Sequence, residues 1–259
     1  MRALWGLAGI AATILCSGVF AAGIEAGDRR SGFDFMTRET QALQADDTSN
    51  PGMLWVLQGE QLWQQPEGRE GIACSRCHGD ASQSMRGVAA RYPAFDEATG
   101  RPIDLAGRIN SCRNARQQSE PLAPESDDLL ALATYVAHQS RGMPVTPATD
   151  ARLTPSRENG RRLFESRIGQ LDLSCASCHD DNWGKRLGGS IVPQAHPTGY
   201  PLYRLEWQGI GSLQRRLRNC MIGVRAKPFA FGASEFIDLE VFLMERARGL
   251  TVETPAVRP

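Results

Sequence analysis

Cys175-Ala176-Ser177-Cys178-His179 is the stretch that decides the fold. A Cys-x-x-Cys-His run is the attachment signature of a c-type haem: two thiols add across the porphyrin vinyl groups, and the adjacent histidine is left to ligate the iron from one face. The same run occurs earlier as Cys74-Ser75-Arg76-Cys77-His78. One copy alone is compatible with a zinc knuckle or a redox Cys-x-x-Cys beside an unrelated histidine. Two copies, in a chain with four histidines in all, point to two covalently bound haem c groups. Cys74, Cys77, Cys175 and Cys178 are then the attachment points, and His78 and His179 the proximal ligands.

The surroundings of the two motifs repeat as well. Gly59-Glu60-Gln61-Leu62-Trp63 precedes the first and Gly160-Arg161-Arg162-Leu163-Phe164 the second, each glycine fifteen residues before its cysteine. Past the motifs, Leu105, Arg108, Ile109 and Cys112 recur as Leu213, Arg216, Leu217 and Cys220 at an offset of 108. Leu132 to Gly142 recurs as Leu239 to Gly249 at an offset of 107. Each half reads as helix, haem motif, loop, short helix bearing a cysteine, and amphipathic terminal helix. Asn50-Pro51 and Thr154-Pro155 are helix starts, and Ser126 and Ser234 are N-cap candidates. The expected fold is mainly α, with two tandem class I cytochrome c-like domains at residues 51–143 and 155–259. Pro144, Pro147 and Pro155 mark a linker at 144–154. Residues 22–50 form a polar, irregular arm expected to pack on the body.

A length of 259 residues suits about two domains. Lys and Arg (29) balance Asp and Glu (29), which argues against nucleic-acid binding and a polybasic membrane anchor, since both need a basic excess. Residues 1–21 read as a secretory signal: Arg2, an uncharged apolar run from Ala3 to Phe20, and a small-x-small site at Val19-Phe20-Ala21. The alternative is a retained membrane anchor. Haem attachment to thiols belongs on the oxidising side of the membrane, so the expected location is the periplasm, with no permanent membrane anchor.

Seven cysteines, less Cys16 in the signal and four at the haems, leave Cys112 and Cys220. Methionine, the usual sixth ligand of a relay cytochrome, recurs at no equivalent place in the two halves. His138 reads as a packing histidine on a terminal helix, and His196 as a hydrogen-bonding residue in a Pro-Gly-rich loop. The two cysteines do recur, at i+7 from Leu105 and Leu213 on the helix face turned to the core. Arg108 and Arg216 precede them by one turn and favour thiolate, the form that ligates iron. Cys112 and Cys220 are therefore candidate distal ligands. The competing reading is a Cys112–Cys220 disulfide, the ordinary fate of two unassigned cysteines in an oxidising compartment. Arg215, Arg216, Arg218, Arg225 and Lys227 surround Cys220, whereas Glu120, Glu125, Asp127 and Asp128 follow Cys112. The second haem is therefore the expected reaction centre, with Arg215 and Arg218 on a solvated face.

At these residues the chain resembles SoxA, the dihaem subunit of the SoxAX cytochromes of sulfur-oxidising bacteria. The resemblance is carried by Arg30-Ser31-Gly32-Phe33, Asn50 to Trp55, Cys175 to Trp183, His196 to Pro201, and the Arg216/Cys220 stretch. It implies Cys112 and Cys220 as distal thiolates, Cys220 as a catalytic persulfide, Arg216 as the active-site arginine, and a second arginine at Arg246 or Arg248. It also implies oxidative joining of thiosulfate to a cysteine of the carrier protein SoxYZ, an L-cysteine S-thiosulfotransferase activity. Two electrons would leave through a SoxX-type monohaem cytochrome. Thiosulfate is a dianion that a guanidinium can orient, and sulfur–sulfur exchange offers a route between thiols. The alternatives are a plain dihaem electron carrier and a thiosulfate dehydrogenase forming tetrathionate.

Overall fold

The computed structural model describes residues 24–259; the expected signal segment lies outside the described residues. In chain order the helices are α1 (Arg38–Ala45), α2 (Met53–Gln64), α3 (Cys74–His78), α4 (Ala81–Ser84), α5 (Leu105–Cys112), α6 (Asp127–His138), α7 (Thr154–Glu165), α8 (Cys175–His179), α9 (Leu213–Gly223) and α10 (Ser234–Arg246). The fold is mainly α, as expected, and no described helix is long and apolar enough to cross a membrane.

In each half the first long helix crosses the last, α2 against α6 and α7 against α10. The repeated glycines sit at these crossings. A Cβ at Gly59 would fall within 2.5 Å of the Tyr135 Cβ and collide with the Ala131 carbonyl. One at Gly160 would lie 2.8 Å from the Phe242 Cβ and collide with the Asp238 carbonyl. Only a residue without a side chain lets the backbones approach this closely. Apolar cores form around the crossings: Val56, Trp63, Tyr135 and Val136 in one half, and Phe164, Met221, Phe236, Leu239 and Leu243 in the other. Ser126 caps α6 as expected, accepting from the Leu129 N–H at 3.4 Å. Ser234 and Thr154 are instead the first helical residues of α10 and α7, preceded by Ala233 and Leu153.

Short strands, invisible to an analysis of periodicity, complete the frame. β1 (Ala94–Asp96) and β2 (Arg101–Ile103) form a hairpin. The tip pair β3 (Arg186–Leu187) and β4 (Ser190–Ile191) belongs to the second half alone. β5 (Leu202–Arg204) and β6 (Gly209–Gly211) reproduce the first hairpin in position and register: Ala94↔Ile103 and Asp96↔Arg101 become Leu202↔Gly211 and Arg204↔Gly209. The repeated Tyr92-Pro93 and Tyr200-Pro201 announce both hairpins in the sequence. β7 (Ala256–Arg258) adds to β5 in parallel.

Two expectations change. The arm is not wholly irregular: it contains α1, which packs on β7, with Gln44 Oε1 accepting from the Val257 N–H at 3.1 Å. Asn50 Nδ2 donates to the Pro255 carbonyl at 2.9 Å. The expected linker begins as part of a core. Val145 is 1% exposed and clusters with Ala90, Ala247 and Val252. Its N–H donates to the Leu250 carbonyl at 2.8 Å, and its carbonyl accepts from the Gly249 N–H at 2.9 Å. Proline-rich composition suggests a spacer, but the backbone of Val145 and Thr146 pins this stretch between the halves.

Candidate functional site

α8 carries Cys175, Cys178 and His179, and a capping box at Ser174 and Ser177 fixes its start. His179 Nδ1 lies 2.6 Å from the Pro193 carbonyl. A carbonyl only accepts, so Nδ1 carries the proton and Nε2 is left as the metal-binding nitrogen. The ring and the Cys220 sulfur on α9 line one cavity. Between these elements lies a cavity of about 440 Å³, within the range of about 300–1,000 Å³ usual for ligand sites. His179, Cys220, Leu213, Leu217 and Leu243 line it, together with Phe35, Met36 and Thr37 from the arm.

The thiols of this half differ in character. Burial, reinforced by neighbouring Cys220, pushes the Cys175 thiol up to about 12, and burial raises Cys178 as well. Burial also raises Cys220, but the neighbouring His179 imidazole and the guanidinium groups of Arg216 and Arg204 outweigh it, and the net direction is down. Cys220 is thus the thiol of this half held toward thiolate.

Arg216 lines the cavity and has no ion pair among the described residues. Burial disfavours its charge, but the negative ends of Cys220, Tyr200 and Glu206 outweigh this and keep it protonated. A further cavity arginine, Arg204 at the end of β5, escaped the sequence reading. Its guanidinium is 3.0 Å from Glu206 and 5.3 Å from the Trp207 ring. The positions suggested by resemblance lie elsewhere. Arg246 bonds Asp180 at 2.6 Å and stacks over Phe164, and Arg248 pairs with Glu245 at 2.7 Å; neither lines the cavity. Nor are Arg215 and Arg218 freely solvated: Arg215 lies 4.3 Å from the Trp207 ring, and Arg218 bonds the Phe229 carbonyl and stacks on Phe231. Arg225 and Lys227 are exposed.

In the first half α3 brings Cys74, Cys77 and His78 together, with the His78 ring 5.6 Å from that of Trp63. Cys74 lies near enough to Cys112, at the end of α5, for their charges to interact, and burial raises its thiol. After Cys112 the chain passes into a π-helical turn at Arg113–Gln117, whereas α9 runs unbroken past Cys220. The expectation that Arg108 serves Cys112 is corrected: it turns to Asp96 at 2.7 Å, a carboxylate also held by Thr99. Cys112 and Cys220 are both free, so no bridge joins them. His196 is buried and bonded through Nδ1 to the Arg30 carbonyl at 2.7 Å; burial lowers its pKa to about 4, so it is neutral. His138 bonds the Thr254 carbonyl at 3.3 Å.

The second-half site fits a haem. Two thiols share a short helix with the cavity's imidazole, that imidazole is oriented by a carbonyl, and a sulfur lines the same cavity among apolar walls. A Cys-x-x-Cys-His helix framed by crossing N- and C-terminal helices defines a c-type cytochrome. A profile of the SoxA/TsdA cytochrome c domain matches residues 58–145. The L-cysteine S-thiosulfotransferase subunit SoxA of Rhodovulum sulfidophilum is 40% identical over 88% of this chain and 80% of its own length, and that of Pseudaminobacter salicylatoxidans 41% identical over the same shares. The crystal structure of SoxXA from P. pantotrophus superposes with a TM-score of 0.86 at 34% identity, over 89% of this chain and 87% of that one. The chain belongs to the SoxA family.

Proposed function

We propose that the protein is the haem-bearing subunit of an L-cysteine S-thiosulfotransferase, the activity in the name of its SoxA relatives. It joins thiosulfate to a cysteine of a SoxYZ-type carrier protein. In the balanced reaction the carrier thiol gives up its proton, one sulfur–sulfur bond forms between the carrier and the outer sulfur of thiosulfate, and two electrons leave. The observation that carries this reading is the meeting, in one cavity, of His179, the Cys220 sulfur and a half-buried arginine, Arg216, with no ion pair among the described residues.

Cys74 and Cys77, and Cys175 and Cys178, would each hold one haem c, two in all. His78 and Cys112 would hold the iron of the first, and His179 and Cys220 that of the second. A haem held there would supply the electron acceptor. Arg216 orients the dianion through charge-assisted hydrogen bonds. Cys220, as a persulfide, presents sulfur to the reacting thiol and supports sulfur–sulfur exchange. The Pro193 carbonyl holds the imidazole in register, and Leu213, Leu217 and Leu243 exclude water. The electrons would pass to a SoxX-type monohaem cytochrome, the companion chain in the SoxXA structure. The mature protein would work in the periplasm, where thiols meet haem under oxidising conditions.

The test is Cys220→Ala in protein carrying its haems, mixed with carrier and thiosulfate. Loss of the carrier's mass increment with haem content retained is the expected result. Undiminished conjugation overturns the assignment. Survival of electron transfer as the only wild-type activity would favour a plain carrier, and tetrathionate formed without carrier would favour a dehydrogenase.

A further inference from the structure

The two halves place different residues beside the arginine of the cysteine helix. At the offset of 108 that relates Arg108 to Arg216, Asp96 corresponds to Arg204. The strand register confirms the equivalence: Asp96 pairs with Arg101 across its hairpin, and Arg204 with Gly209 across the other. In the first half the carboxylate of Asp96 neutralises Arg108 at 2.7 Å. In the second half the same position holds a cation instead, so Arg204 and Arg216 line one cavity together, with Arg258 and the exposed Arg186 also at its wall.

Arg204 is only 12% exposed and its Nε has no partner, while its carboxylate, Glu206, is 62% exposed and screened by solvent. Arg258, also at the cavity, is matched by Glu253. No Asp or Glu side chain lines the cavity among the described residues. Two like charges balanced only by the Cys220 sulfur, Tyr200 and the solvent-exposed Glu206 favour binding of an anion. Arg204 and Arg216 line the same cavity as the Cys220 sulfur, where a substrate would bind.

We propose that Arg204 is a second substrate-binding residue, and that with Arg216 it forms a two-cation anchor selecting doubly charged oxo-sulfur anions over singly charged ones. This rests on the reading of the cavity as a thiosulfate site.

The test compares thiosulfate with methanethiosulfonate, an analogue of similar shape carrying one charge, on haem-loaded protein. Calorimetric binding is measured separately from conjugation to the carrier. Arg204→Gln should weaken thiosulfate binding about 10- to 150-fold, the range set by loss of a charged hydrogen bond, and shift methanethiosulfonate by less than threefold. Arg204→Lys should recover part of the loss. Arg204→Asp should rebuild the first-half ion pair with Arg216, keep the fold, and abolish dianion binding. Haem content should be unchanged in Arg204→Gln. Equal weakening of both anions, no weakening, or no binding by the wild type overturns the proposal. So does a changed potential with affinity intact, which would make Arg204 a partner of the haem edge. A wild type that binds thiosulfate through Arg204 yet never conjugates it would leave this inference standing and remove the proposed activity.

Discussion

Glu240→Gln is expected to make the protein resist alkaline loss of stability. Glu240 lies on α10, buried, and its Oε1 accepts from Gln214 Nε2 of α9 at 2.9 Å. The same amide nitrogen donates at 3.0 Å to Asp104, which caps α5 by accepting from the Gly107 N–H at 2.7 Å. Two carboxyl groups from the two halves thus share one amide with no cation between them. Burial, then the charge of Asp104, raises Glu240 well above the ordinary carboxylate range, against a smaller opposing effect of the Gln214 hydrogen bond. Burial raises Asp104 too, while its backbone hydrogen bonds oppose it. The capped helix favours charge on Asp104, so the retained proton sits on Glu240.

A folded state that keeps a proton the unfolded chain releases near pH 4.3 must lose stability as pH rises above that value. The contribution is complete below the unfolded pKa and disappears as pH climbs toward the folded one. The slope for one proton is about 1.4 kcal/mol per pH unit, so two units remove about 2.7 kcal/mol. For a chain of this size that is roughly 5–10 °C in Tm. Glutamine keeps the acceptor for Gln214 and removes the proton. Urea unfolding of haem-loaded protein between pH 5 and 7 should show the wild-type unfolding free energy falling relative to Glu240→Gln by this amount, with equal m-values. Parallel profiles would show that Glu240 is ionised in the fold and that the reading of the pair is wrong.

Gly160→Ala should destabilise the second half by about 1–3 kcal/mol, because the overpacking of α7 on the backbone of α10 exceeds the helix-propensity gain of about 1 kcal/mol; urea unfolding checks it, and a stabilised variant would show that the crossing is looser than described. Val145→Ala should cost about 2 kcal/mol through lost burial and the cavity left in the seam. A change below about 0.5 kcal/mol, as at a surface site, would restore the linker reading.

The sequence made the covalent chemistry legible because the haem motif is local: five consecutive residues carry their own meaning. Helical spacing made α5 and α9 legible for the same reason, and the repeat then paired Cys112 with Cys220. The failures are all non-local. That Arg108 turns away from Cys112 depends on Asp96, which reaches it through a three-residue strand without a periodic signal. The cavity wall borrows Phe35 and Met36 from an arm far from Cys220 in sequence. Arg204 is one of many arginines until β5 is recognised as the second copy of β1, for which Tyr92-Pro93 and Tyr200-Pro201 were the available clue. Val145 sat in proline-rich company that hid its burial.

The duplication also separates what a haem site requires from what a reaction requires. Both halves keep the glycine at the helix crossing, and both keep a hairpin turn before the motif, Glu67↔Ile72 and Ile168↔Leu173. Both need glycine in that turn at positive φ: Gly68 at 71° and Gly169 at 70° lie against the Gln117 and Val224 carbonyls, where a side chain would collide. These shared features hold a Cys-x-x-Cys-His helix against two crossing helices, and they say nothing about substrate. The differences cluster around the sixth-ligand face. One half has a neutralised arginine and a π-helical turn after its cysteine. The other has a continuous helix, a second arginine in place of the carboxylate, and a hairpin, Arg186–Ile191, at the cavity wall. A site for passing electrons needs only the first set. The second set costs electrostatic free energy that an anion would offset, so it is at this half, and at Cys220 within it, that sulfur chemistry is to be sought.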